Sequence, residues 1–365
     1  MSNLFVASTP LQLLTAYIIA TNLFENDDNM LVYIQCNHEK VYHESLCVRK
    51  MFDDILTWQV MRQDRWLHGV TSLSEFIKKL LQMKQTLFKN RVKFDKVFLG
   101  EDKSFENQLL VELSGNDHYY RMEDGVWSYY ASDRRLLSKL WHGLKMDILR
   151  SFSGLHSNMP YNAGGIGRGK AALADYLYKP HLLERFSPNA ILIERDQITN
   201  TMKKLTEKMQ LQLYPDQSTS QVILFLGSKL VDQGKISINT EIEILKYIYS
   251  ICKQEGLVFL YKPHPAEKID KLESYQKLLP QIEFCQTREP MEVLYYSLKN
   301  LKCVLAHSSS GLLFADVFSH DTICTIGLFK LYGNEYNDPI LYRLMGKAGV
   351  VIPNTLVELR DSLCS

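Results

Sequence analysis

Apolar residues in this chain come in short dense runs that break abruptly into polar turns, alternating with stretches where they recur every three or four residues. Residues 3–8 (NLFVAS) form a buried-strand pattern, and Thr9-Pro10 starts a helix with proline in its first turn. That helix, LQLLTAYIIATNLF, is apolar around most of its circumference and is predicted to pack deeply, and residues 31–36 (LVYIQC) make the next strand. Strand, turn, helix, strand is the opening of a parallel, doubly wound sheet. The pattern then predicts a helix over 72–89, a strand at 96–100, a helix at 105–114 and a strand running into a turn over 118–125. The block from Trp127 to Arg185 reads as helical and aromatic-rich, interrupted by the glycine-rich SNMPYNAGGIGRGK (157–170), with NAILIE (189–194) as the last strand of the first half.

The polar stretch 213–221 (LYPDQSTSQ) is the natural linker. After it the rhythm restarts: VILFLGS, a helix over 241–255, LVFLYKPHP, a helix near 267–279, IEFCQ, a short helix near 290–297, CVLAHSSSG, a helix from 311, and DTICTIG. Two Rossmann-like halves follow, 1–212 and 213–365, with the last helix expected to pack back on the first half. In such sheets ligands sit outside the carboxyl ends of the strands, so the strand-end turns carry the candidate chemistry.

Three of those turns lie in the second half. His264 stands between Pro263 and Pro265, whose rings stiffen the backbone that carries it, and Lys262 adds charge two residues earlier. A pre-positioned imidazole suits proton donation or phosphate contact. Ser308-Ser309-Ser310-Gly311 offers hydroxyls and backbone N–H groups at a helix start, an arrangement that binds phosphate but also simply caps helices. Gly227-Ser228 ends a third apolar run. In the first half, Glu123-Asp124-Gly125 places two carboxylates ahead of a turn, where one could act as a general base. GGIGRG (164–169) follows no clear strand and has the wrong spacing for a dinucleotide fingerprint, so it reads as a mobile loop.

Composition narrows the classes. At 365 residues with 46% hydrophobic and 23% charged residues the chain is an ordinary globular protein, and a formal net charge of +1 argues against a general nucleic-acid binder. Seven cysteines without a C-x-x-C pair read as free thiols of a reducing cytoplasm. The N-terminus lacks the basic and long apolar regions of a signal peptide, and no window reaches 18 uninterrupted apolar residues. A cytoplasmic protein is expected, with peripheral attachment to the inner face of a membrane still open.

Taken in order, STPLQLL, the acidic-acidic-glycine motif, LGS, KPHP and the serine turn resemble the bacterial sialyltransferases, most closely the lipooligosaccharide sialyltransferases of glycosyltransferase family 52 and the related capsular polysialyltransferases. The motifs span residues 4 to 318. The resemblance implies an α/β fold of two Rossmann-like domains facing a cleft, the GT-B architecture, with an acceptor-side first domain and a nucleotide-sugar-binding second one. It implies inverting transfer of sialic acid from CMP-sialic acid to a galactose- or sialic-acid-terminated bacterial surface glycan (lipooligosaccharide or capsule), with no metal or other cofactor. It places the general base on Glu123, with Asp124 as the fallback, and puts His264 at the donor phosphate. Gly227, Ser228, Lys262, Pro265, Ser308, Ser309 and Ser310 form the donor site. A homodimer is compatible with it. Kdo transferases and CDP-glycerol polymerases share the KPHP and serine turns, so another cytidine-nucleotide transferase is the alternative, with a non-catalytic glycan-binding protein behind it.

Overall fold

A computed structural model describes residues 1–36, 52–60, 93–130, 135–153, 159–162, 167–209, 220–265, 267–285, 289–333 and 339–364, together with 78, 81–82 and 84–86. The chain forms two compact units, Met1–Met209 and Gln210–Ser365. Most of the expected helix over 72–89 and most of the expected linker over 213–221 lie outside the described residues; the six residues described within 72–89 are helical.

The first unit is built on a parallel sheet of β1 (Ser2–Ala7), β2 (Asp28–Cys36), β3 (Asp54–Val60), β4 (Lys96–Leu99), β5 (Tyr119–Met122), β6 (Ala172–Leu177) and β7 (Ala190–Leu192), in the order β3-β2-β1-β4-β5-β6-β7. Thr9 caps the helix Pro10–Leu23 by accepting from the Gln12 N–H at 3.2 Å, and proline fits its first turn because that position needs no donor. Buried Leu4, Val6, Met30, Val32 and Leu99 share one side of the sheet. On the other, Phe5 and Phe98 stack at 4.6 Å.

Two strands differ from the sequence reading. Residues 54–60 (DILTWQV) mix polar and apolar positions, hiding an edge strand. Residues 172–177 (ALADYL) fall inside the block read as helical, because alanine and leucine favour helix; their burial between β5 and β7 overrides that propensity. The glycine-rich segment is also corrected where it is described. Gly167 and Gly169 donate their N–H groups to the two oxygens of buried Asp102, at 2.7 and 3.0 Å, so this part of the segment is pinned rather than loose. A side chain at Gly169 would overlap the Tyr119 hydroxyl.

The second unit holds a five-stranded parallel sheet of β8 (Val222–Leu226), β9 (Val258–Lys262), β10 (Glu283–Phe284), β11 (Leu301–Ala306) and β12 (Cys324–Gly327), ordered β10-β9-β8-β11-β12. All five residues of β8 are buried, as a central parallel strand covered on both faces requires. The strand order reverses between β8 and β11, the switch point of the sheet. The last helix, Leu356–Cys364, closes the second unit. Leu359 and Leu363 are fully buried in the second unit's own core, and the Tyr247 hydroxyl donates to the Leu356 carbonyl at 3.0 Å. Cys252, Cys285 and Cys303 are buried free thiols, Cys324 is half-buried and Cys364 exposed.

Candidate functional site

Each unit carries a polar constellation at strand ends. In the first, Glu123 follows β5 and is fully buried. Its Oε1 accepts the Gly125 N–H at 3.0 Å, and its Oε2 accepts the Tyr129 hydroxyl and the Tyr178 N–H. Burial pushes its carboxyl up to about 7. Gly125 sits at φ 82°, a backbone conformation that glycine adopts without strain.

Asp124 is different. It is only half-buried, its own N–H donates to Ser128 Oγ at 2.6 Å, and its Oδ1 accepts the side-chain amide of Gln12. Gln12 is oriented in turn, its Oε1 accepting the Ser8 N–H at 2.7 Å and the Ser8 hydroxyl at 3.0 Å. A Cβ at Gly100 would fall 2.1 Å from the Gln12 side chain, so the glycine after β4 leaves the room this amide needs. The STPLQ run and the acidic motif, 112 residues apart, are thus one device. Burial, then the neighbouring Glu101 and Glu123 charges, hold the Asp124 carboxyl well above the usual carboxylate range, against the lowering effect of Gln12.

A buried ion ladder backs the motif. Arg121 in β5 binds Asp175 at 2.5 Å and Asp102 at 3.0 Å, and Arg185 binds Asp175 at 2.8 Å and the Ser128 carbonyl at 2.8 Å. Ser128, which holds the Asp124 N–H, is therefore anchored from behind.

In the second unit, a cavity of about 290 Å³ opens at the β8/β11 switch point. Gly227, Ser228, Lys229 and Gln233 line it after β8, His264 after β9, and His307 to Ser310 after β11. The strand-end turns singled out by sequence converge here, except at two positions. Lys262 and Pro265 do not line the cavity. Side chains alternate across a strand, so Lys262 emerges opposite Tyr261, buried among Cys285, Glu292 and Glu289. What Lys262 gives the cavity wall is its carbonyl, which accepts the Gly227 N–H at 2.9 Å.

The cation that does line the cavity is Lys229, one residue past the Gly-Ser turn, and Gln233 accompanies it. Both were missed in the sequence. A lysine directly after a glycine-serine strand end was the available signal.

His264 is half-buried, and its backbone N–H is held by the Glu267 carboxylate at 2.5 Å. Burial, then Lys229 and Lys271, push its imidazole below the usual histidine value, so before any anion binds the side chain is neutral at pH 7. Ser309 caps a 3-10 turn, Ser310–Leu313, by accepting the Gly311 N–H at 3.2 Å, and Ser308 Oγ lies 2.9 Å from His307 Nδ1. The helix expected from residue 311 is instead this turn followed by Ala315–Phe318. A dipole that short is small, so the serine hydroxyls and local N–H groups are the groups this turn can offer an anion.

A family model described as alpha-2,8-polysialyltransferase (POLYST) matches residues 3–327 of the chain. No curated protein matches it. Among solved structures, the chain is similar to UDP-GlcNAc 2-epimerase from Neisseria meningitidis bound to UDP-GlcNAc, at 14% identity and a TM-score of 0.55, covering 100% of this chain and 90% of that one. It is similar to the same enzyme from Methanocaldococcus jannaschii at 13% identity and a TM-score of 0.55, covering 100% and 92%. At such identities the likeness carries the fold alone, and that fold is the expected two-domain α/β class with parallel sheets.

Proposed function

The chain belongs to the alpha-2,8-polysialyltransferase family, and on that premise we propose an inverting, metal-independent transfer of sialic acid from CMP-sialic acid to a sialic-acid-terminated bacterial surface glycan. The chain is a glycosyltransferase of the sialyltransferase kind. The observation that carries the donor assignment is the cavity where Lys229, His264 and Ser308–Ser310 converge at the switch point of the second sheet. One ammonium, one imidazole and several hydroxyls suit a single phosphodiester.

The acceptor hydroxyl attacks C2 of the donor sialic acid as the bond from C2 to the phosphate oxygen breaks, and CMP leaves with the electron pair. Attack from the face opposite the leaving group inverts the centre. Asp124 takes the acceptor proton. Glu123 acts beside it as a positioning residue, because both its oxygens are already occupied by Gly125, Tyr129 and Tyr178 in a buried setting. The Asp124 carboxylate accepts from Gln12 alone among the hydrogen bonds described, and its raised carboxyl makes it a stronger base than an ordinary aspartate. At the donor, an anion next to His264 favours the charged imidazolium, which then offsets the charge growing on the leaving phosphate.

Release of CMP from CMP-sialic acid, measured with an oligosialic acid acceptor and repeated in EDTA, tests this reading. Acceptor-dependent release that survives EDTA is expected. Turnover of CDP-glycerol with none of CMP-sialic acid would sink it.

We assign peripheral membrane attachment to the helix Leu136–Ser153. No helix among the described residues is long and apolar enough to cross a membrane. On this helix, however, Leu136, Leu137, Leu140, Trp141, Leu144 and Ile148 are all exposed along one face, Leu137 by 81%, while Met146 is buried on the other. Lys139 and Lys145 flank the stripe, and the Lys145 ammonium sits 5.3 Å from the Trp141 ring centre. An apolar face edged by cations fits an anionic bilayer surface. The protein should co-sediment with phosphatidylglycerol vesicles in low salt, and Leu137→Glu with Leu140→Glu should release it without altering CMP affinity. Equal sedimentation of the variant removes the helix from this role.

A further inference from the structure

Below the turns that line the donor cavity lies a buried charge cluster that the transfer chemistry leaves unused. Glu241, Glu267 and Lys271 are each at most 9% exposed. The Lys271 ammonium donates to Glu267 Oε1 at 2.6 Å and to the Ser228 carbonyl at 2.9 Å, and it lies 3.3 Å from Glu241 Oε2. An ammonium has three N–H groups, and each of these oxygens takes one. Glu267 then reaches the next turn: its Oε2 accepts the His264 N–H at 2.5 Å, and its Oε1 also accepts the Tyr261 hydroxyl at 2.7 Å. Glu241 accepts the Tyr275 hydroxyl at 2.7 Å.

Gly227 is part of the same arrangement. A Cβ there would lie 2.5 Å from Glu267 Oε2 and 2.6 Å from the Tyr261 hydroxyl, so the missing side chain lets the carboxylate come up beneath the cavity. Two buried carboxylates and one ammonium are an expensive way to fill a core, and apolar residues of similar volume often hold a fold as well or better. What an ion pair adds is a fixed geometry for whatever it touches, and here it touches both walls of the cavity.

We propose that Glu267 and Lys271 are positioning residues for donor binding: they suspend the Ser228 turn and the His264 turn from one buried ion pair and so set the width of the phosphate site. This rests on the reading of the cavity as the site of the CMP phosphate. Glu267 orients His264 through its backbone, while Lys271 acts on the imidazole through its charge, together with Lys229.

The test uses the full-length protein with CMP as the probe. Calorimetric CMP affinity, kcat and KM for CMP-sialic acid, melting temperature and the NMR titration of the His264 ring are measured for Glu267→Gln, Lys271→Met and the double variant. Each single variant should weaken CMP binding about tenfold or more, the scale of one charged hydrogen bond lost or misplaced. Because the two act as a unit, the double variant should be no worse than the worse single. Lys271→Met should also move the His264 titration upward, since a nearby positive charge is removed. Glu267→Asp keeps the buried charge but shortens the arm, so it covers the case in which the neutral variants fail to fold. It should fold and still bind CMP more weakly. Folded variants with lower melting temperatures but wild-type CMP affinity and an unmoved His264 titration would make the cluster merely structural and overturn the inference. Wild-type protein that does not bind CMP would overturn the donor-site reading itself, a separate and distinguishable failure.

Discussion

Replacing Asp124 by asparagine should lower kcat for sialyl transfer by about 100- to 10,000-fold, the usual worth of a general base, while CMP affinity stays at the wild-type value. The amide keeps the hydrogen-bonding shape beside Gln12 and Ser128 and removes only the ability to accept a proton. In the wild type, kcat/KM should rise with pH as Asp124 ionises, and that acid limb should lie above the ordinary aspartate range, because burial and the Glu101 and Glu123 charges oppose ionisation. The residual activity of Asp124→Asn should have lost the limb.

Glu123→Gln separates the two carboxylates. Glu123 is held up to about 7 in the folded protein by burial, against an ordinary value of 4.5. The folded state therefore binds more protons than the unfolded one between those values, and stability falls as pH rises through about 4.5 to 7. The glutamine variant should lack this decline, so its melting temperature relative to wild type should improve toward neutral pH. Its transfer rate should fall less than that of Asp124→Asn. Normal transfer by Asp124→Asn, together with a dead Glu123→Gln, would return the base to Glu123.

The second large effect is expected at the donor. His264→Ala should cut kcat by about 100-fold or more and also weaken CMP binding. Before an anion binds, the imidazole is kept neutral by burial and by Lys229 and Lys271, so binding an anion beside it should draw a proton from solution. CMP-binding calorimetry in buffers of different ionisation enthalpy near pH 7 should show that uptake in the wild type and its loss in His264→Ala. A variant with full turnover would remove the residue from the reaction. Retained turnover with no proton uptake would leave it a contact without acid function.

Much of this was legible in the chain. A parallel strand covered on both faces must be an apolar run, and it must stop where the chain turns back to solvent. Hence 222–226, 258–262 and 301–306 announced themselves, and with them the turns holding Ser228, His264 and Ser308–Ser310. The strands 54–60 and 172–177 stayed hidden, because the first carries polar positions at an edge and the second is written in helix-favouring residues. Lys262 was credited with a place in the donor site on proximity in sequence. One residue of strand alternation sends its side chain to the opposite face, and Lys229 stands in the cavity instead.

By itself the sequence determined the two α/β halves, the strand-end turns and the residue types that populate them, since these follow from local patterns of two to four residues. Only the tertiary structure decided how adjacent residues divide the work. Glu123 and Asp124 are neighbours of like chemistry, and what distinguishes them is Tyr129 and Tyr178 closing over one while Gln12 reaches the other from the start of the chain. Likewise, nothing in the spacing of Ser228, His264, Glu267 and Lys271 reveals that one ammonium and one carboxylate join both walls of a cavity. Such links depend on distances of 3 Å between side chains brought together by the sheet, and burial is what makes them costly to leave unmade.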